Sequence, residues 1–187
     1  MSLRISFDLS EKDLKHFKTI MQQAEKNVRT LSDADIIGAA EALLVEVQNA
    51  DVPDFISERL TKLKVMTSML TDSEWQLPDE ETHRVLSALA YFGEAEDLIP
   101  DHIPGLGFLD AAIMVELVVR ELKHEIEAYE DFCSYRNREE AKRSSDDEVT
   151  REEWLAGRRA ELHSRMRRRR RGSISGSRRR KSPFSIF

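Results

Sequence analysis

Seven residues, Ala112, Val115, Val119, Leu122, Ile126, Tyr129 and Cys133, follow one another at steps of three and four without interruption. An α-helix turns once in 3.6 residues, so such a run places every apolar side chain on one face and predicts a long amphipathic helix to about Arg138. The same rhythm recurs upstream. Leu14, Phe17, Met21, Ala24, Val28 and Leu31 mark a first helix that Ser10 and Asp13 open as a variant capping box. Ile36, Ala40, Leu43 and Val47, capped by Ser32 or Asp33 and punctuated by Pro53, mark a second. Ile56, Leu60, Leu63 and Leu70, with Met66 and Met69 between them, mark a third. Thr71 and Glu74 give another capping signal, and Pro78 suits the start of a fourth helix through Val85, Leu86, Leu89 and Phe92.

Only Leu3, Ile5, Phe7 and Leu9 alternate as a strand would, and no second such pattern offers them a partner within the chain. The fold class expected is therefore mainly α, a bundle of about five helices with a short N-terminal extended segment. That segment is either unpaired or paired across a homo-oligomer. A basic C-terminal helix and tail complete the chain. Residues 1–140 make the helical domain, and the polar, aperiodic 141–149 make a linker. Thr150 and Glu153 then cap an Arg-rich helix over 150–171 that carries Trp154, Leu155, Leu162 and Met166 on one side. With four such anchors that helix is expected to dock weakly, and the basic 172–187 to be disordered.

A single cysteine, Cys133, allows no internal disulfide and suits a reducing, cytoplasmic setting. Charged residues interrupt the N-terminus where a secretory signal would be apolar. The longest apolar region, Phe108 to Val119, contains Asp110 and Glu116 and is shorter than the roughly 20 residues of a membrane span.

Between the fourth helix and the long one lies EDLIPDHIPGLGFLDAA, residues 96–112. Pro100 and Pro104 push Ile99 and Ile103 out of helical geometry, Gly105 and Gly107 allow a turn, and Asp110 falls in the first turn of the next helix. Two readings of its polar groups stand. Asp97, Asp101, His102 and Asp110 are the donors a divalent metal would use, as a binding site or in a metal-dependent enzyme. Equally, the aspartates bond loop amides and the histidine is solvated. No other cofactor is implied, and no nucleophile with a base in register is visible.

The string Asp97-Leu98-Ile99-Pro100-Asp101, Ile103-Pro104, Gly107 and Asp110 resembles the DLIPDxIPxxGxxD motif of the YkvA-like family, a bacterial domain of unknown function. The resemblance extends over roughly residues 80–120, including Ala88-Leu89-Ala90-Tyr91-Phe92. Ala111 departs from it where a second aspartate is expected. It implies a small helical domain without an established activity.

Charge is segregated along the chain. Residues 1–157 hold 17 Lys+Arg against 34 Asp+Glu, whereas 158–187 hold 12 against the lone Glu161, within a net charge of −6. The twelve are Arg158, Arg159, Arg165, Arg167, Arg168, Arg169, Arg170, Arg171, Arg178, Arg179, Arg180 and Lys181. Guanidinium groups at this density suit a polyanion, with nucleic acid favoured over an anionic membrane surface or the protein's own acidic body. A solvated, solubilising tail is the plain alternative. No aromatic residue interleaves the arginine run, so binding is expected to follow backbone charge and not base sequence.

Overall fold

The structure, a computed structural model of the chain, describes residues 8–27, 31–93, 108–142 and 150–177. Seven α-helices and no strand lie among them: α1 Glu11–Asn27, α2 Asp33–Asn49, α3 Asp54–Thr71, α4 Asp79–Leu89, α5 Leu109–Glu121, α6 Lys123–Lys142 and α7 Arg151–Ser177. A 3-10 turn, Ala90–Gly93, follows α4. Most of the N-terminal segment, at 1–7, and the linker stretch 143–149 fall outside the described residues.

Three helices start where a hydroxyl and a carboxylate three residues apart exchange hydrogen bonds with each other's backbone amides. Ser10 and Asp13 do so at α1 (2.9 and 3.3 Å), Ser32 and Asp35 at α2 (3.1 and 3.2 Å), and Thr150 and Glu153 at α7 (2.8 and 3.4 Å). The Ser32 hydroxyl, then its amide, hold the Asp35 carboxyl below its ordinary pKa. Thr71 and Glu74 open no helix. Asp72 instead accepts from the amides of Glu74 (2.9 Å) and Trp75 (3.1 Å), turning the chain between α3 and α4. The aspartate wins because its short side chain reaches amides two and three residues on, which stabilises a turn.

The long helix expected from Ala112 is two helices. Leu122 sits at φ −92° and ψ 19°, off helical values, between α5 and α6. Its amide still reaches the Val118 carbonyl at 2.8 Å, and its own carbonyl accepts from Ile126 at 3.0 Å, so the apolar stripe passes through the break. The break separates two packing duties: α5 lies on α3, and α6 lies on α7.

Helix α3 runs through the core, with Ile56, Leu60, Leu63, Met66 and Met69 buried against Val85 and Leu89 of α4 and Met114, Val115 and Val118 of α5. Phe108, ahead of α5, has φ 62°, a left-handed conformation that costs a non-glycine residue on the order of 1 kcal/mol. Its ring is buried, and that burial, worth about 2–3 kcal/mol, outweighs the strain.

Helix α7 does not dock weakly. Leu155, Leu162 and Met166 are fully buried and Trp154 packs against the same cluster, each buried side chain contributing about 1.5–3 kcal/mol. The helix also continues past Gly172 to Ser177, where disorder was expected. Counting only apolar anchors underestimated this face, because two arginines and a histidine complete it.

Candidate functional site

Asp97, Asp101 and His102 lie outside the described residues. Asp110 is in the first turn of α5 as expected, and it is buried. Among the described residues no group of three or more His, Cys, Asp or Glu side chains is placed to hold a metal ion.

The arginines of α7 divide by face. Those at the register of Leu155, Leu162 and Met166 point into the body. Arg159 donates to the Glu74 carbonyl at 2.7 Å and to Glu152 at 2.7 Å. Arg170 reaches Glu81 of α4 at 3.2 Å and Glu125 of α6 at 3.8 Å, and also pairs with Glu80. Both inner arginines keep 12% of their side-chain surface exposed. Their alkyl stems cover apolar neighbours while the heads find carboxylates, the usual way such a residue is buried.

Arg170 closes a charge cluster of unusual depth. Glu81 and Glu125 are each 1% exposed, and Arg84 of α4 approaches Glu125 at 3.5 Å and Glu121 at 3.7 Å. Among the described residues neither Glu125 carboxylate oxygen accepts a hydrogen bond. The guanidinium nitrogens stand just beyond that range, attracting it by charge alone. Such a cluster stabilises little by its presence, but removing one partner strands a buried charge.

At the other end of α7 a second cluster surrounds the α3–α4 turn. Arg136 of α6 bridges Asp72 (2.9 Å) and Glu74 (2.8 Å), Arg151 pairs with Glu74 and Glu140, and the Tyr129 hydroxyl donates to Asp72 at 3.1 Å. Hydrogen bonding from Arg151 depresses the Glu74 pKa against the opposing effect of burial. Burial, reinforced by Cys133 and Asp72, raises that of Tyr129. Cys133 itself is partly buried, with Arg136 Nη2 3.7 Å from its sulfur.

Trp75, fully buried, lies within 5.7 Å of Tyr129, 5.0 Å of Phe132 and 4.4 Å of His163, centroid to centroid. His163, on the docked side of α7, is buried. Burial first, then the charges of Arg167 and Arg159, lower its pKa from 6.5 to about 4, so it sits there neutral. His16 and His83 are exposed.

The outer pairs are of a different kind. Arg169, 51% exposed, meets Glu127 at 3.1 Å, Arg165 pairs with Asp131, and Arg158 with Glu161 of its own helix at 2.7 Å. Among the described residues Arg167, Arg168 and Arg171 form no ion pair; Arg168 and Arg171 are exposed. Arg178, Arg179, Arg180 and Lys181 lie outside the described residues. The apolar side of α7 that could rest on a membrane is the side buried on α6. No helix among the described residues is long and apolar enough to cross a membrane.

The body residues that meet the arm escaped the sequence reading, although two carried a signal. Glu81 precedes Val85 by four, and Glu125 follows Leu122 by three, which puts both carboxylates on apolar stripes.

These helices place one familiar segment. Residues 84–117, from Arg84 in α4 to Leu117 in α5, match the family described as a protein of unknown function, DUF1232. The chain is similar to that family there. No curated protein and no solved structure matches the chain. The matched span contains Asp97, Asp101, His102 and Asp110 and ends well before α7, so the arm is a feature apart from the DUF1232-like segment.

Proposed function

We propose that this chain is a non-enzymatic helical association domain of the YkvA-like type, and that the outer face and C-terminal continuation of α7 engage a polyanion, nucleic acid being favoured. The observation that carries the reading is the division of arginines on α7. Leu155, Arg159, Leu162, Met166 and Arg170 fix the helix on the body, leaving Arg167, Arg168 and Arg171 outside any ion pair among the described residues. Arg178 to Lys181 continue the same sequence of cations. A rigid helix displaying a row of guanidinium groups matches a phosphate backbone without reading bases. Around α7 the acidic groups of the body face guanidinium groups, an arrangement suited to holding helices together.

The test removes the outward charges and spares the docked face. A chain carrying Arg168→Gln and Arg171→Gln and ending at Ser177 keeps Leu162, Met166 and Arg170. It is expected to lose most of its affinity for mixed-sequence single-stranded DNA while unfolding at the wild-type denaturant midpoint. Unchanged affinity sinks the reading.

A further inference from the structure

We infer that the acidic wall of α6 beneath α7 is a built-in competitor that holds part of the arm's charge away from its polyanion. This rests on the polyanion reading above and adds its regulation. Arg165 and Arg169 project from the flank of α7 and meet Asp131 and Glu127 of α6, carboxylates that are 50% and 38% exposed. Solvent-exposed ion pairs contribute about 0–1 kcal/mol each, so they leave docking to the buried residues and can be exchanged. A phosphate and a carboxylate cannot both be the close partner of one guanidinium fork, so polyanion binding through Arg165 and Arg169 requires the carboxylates to be given up. Arg159 and Arg170 are different: each is largely buried, Arg159 on the Glu74 carbonyl and Arg170 on the buried carboxylates of Glu81 and Glu125. The arm therefore has cations locked into the body, cations shared with α6, and cations free for the ligand. The shared class sets how much of the arm a polyanion reaches, and whatever neutralises Glu127 and Asp131 raises affinity.

The experiment compares three full-length proteins binding a short mixed-sequence single-stranded DNA across a series of salt concentrations. One is wild type and one carries Glu127→Gln and Asp131→Asn. The third carries Glu41→Gln and Glu46→Gln on α2, exposed carboxylates with no ion pair among the described residues, so that net charge changes equally. The α6 variant is expected to bind on the order of tenfold tighter than wild type, with a salt slope steeper by about 0.7 for each arginine released. The α2 variant is expected to gain clearly less and keep the wild-type slope. Equal gains in the two variants, or none in the α6 variant while wild type binds, overturn the competitor and leave the polyanion reading standing. Absence of binding by all three proteins at low salt overturns both, and binding by the α6 variant alone supports the competitor in its strongest form.

Discussion

Arg170 Nη1 stands 3.2 Å from Glu81 Oε1, joining residues 89 positions apart across the gap from α7 to α4, and Glu81 is 1% exposed. Replacing Arg170 by alanine removes the cation that meets Glu81 and leaves Glu125 with Arg84. Stranding a buried charge costs about 3–5 kcal/mol, and Arg84 compensates in part, so Arg170→Ala is expected to lower unfolding free energy by about 3 kcal/mol in urea titration. Arg169→Ala, at an exposed pair, is expected to cost less than about 1 kcal/mol. Equal effects would mean that the two faces of α7 do not differ as described.

Leu162 tests docking without touching charge. It is fully buried, and Leu→Ala at such a site costs about 2–5 kcal/mol, whereas on a detached helix the change is within about 0.5 kcal/mol. A midpoint shift corresponding to the larger figure is expected.

His163 gives the arm a pH dependence. Its folded pKa lies near 4, below the 6.5 of an exposed histidine, because burial and then Arg167 and Arg159 disfavour the cation. Between those values the unfolded chain binds the proton and the folded chain does not, so this contribution to stability is complete above about pH 6.5 and is lost as pH falls towards 4. Other groups that face His163 shape the same window, and the variant isolates its share. His163→Gln is expected to flatten stability against pH between about 4.5 and 6.5 relative to wild type. Parallel curves would show that His163 is protonated or exposed in the folded protein.

Phe108 sets strain against burial. Phe108→Gly relieves a left-handed φ at a gain on the order of 1 kcal/mol, but removes a buried ring at a cost of about 3–5 kcal/mol. Net destabilisation of about 2–4 kcal/mol is expected in denaturant titration, and a stabilised variant would contradict the packing of that ring.

What the sequence made legible follows from which interactions are local. Ile36, Ala40 and Val47 are buried as their spacing required, and Ser10–Asp13 and Thr150–Glu153 form the capping pairs their spacing suggested. The division at Leu122 was invisible because the hydrogen bonds on either side keep the apolar rhythm in phase. The firm seating of α7 was missed because Arg159 and Arg170 count as polar in any periodicity, although their positions at Leu155+4 and Met166+4 put them on the buried stripe. Partners such as Glu81 and Asp131 join the arm from distant parts of the chain, so spacing could not reveal their pairing with Arg170 and Arg165. Of the candidate site, the exposure of Arg168 and Arg171 was legible, and the partners of Arg165, Arg169 and Arg170 were not.

The salt dependence of polyanion affinity bears most directly on the outward arginines of α7. Each neutralised phosphate releases counterions, so six contacts through Arg167, Arg168, Arg171 and the cations beyond Ser177 give a slope of log affinity on log salt of about −4 to −5. With the full chain and a short mixed-sequence nucleic acid, that slope is the predicted result. A flat response, or no binding at low salt, would contradict the account.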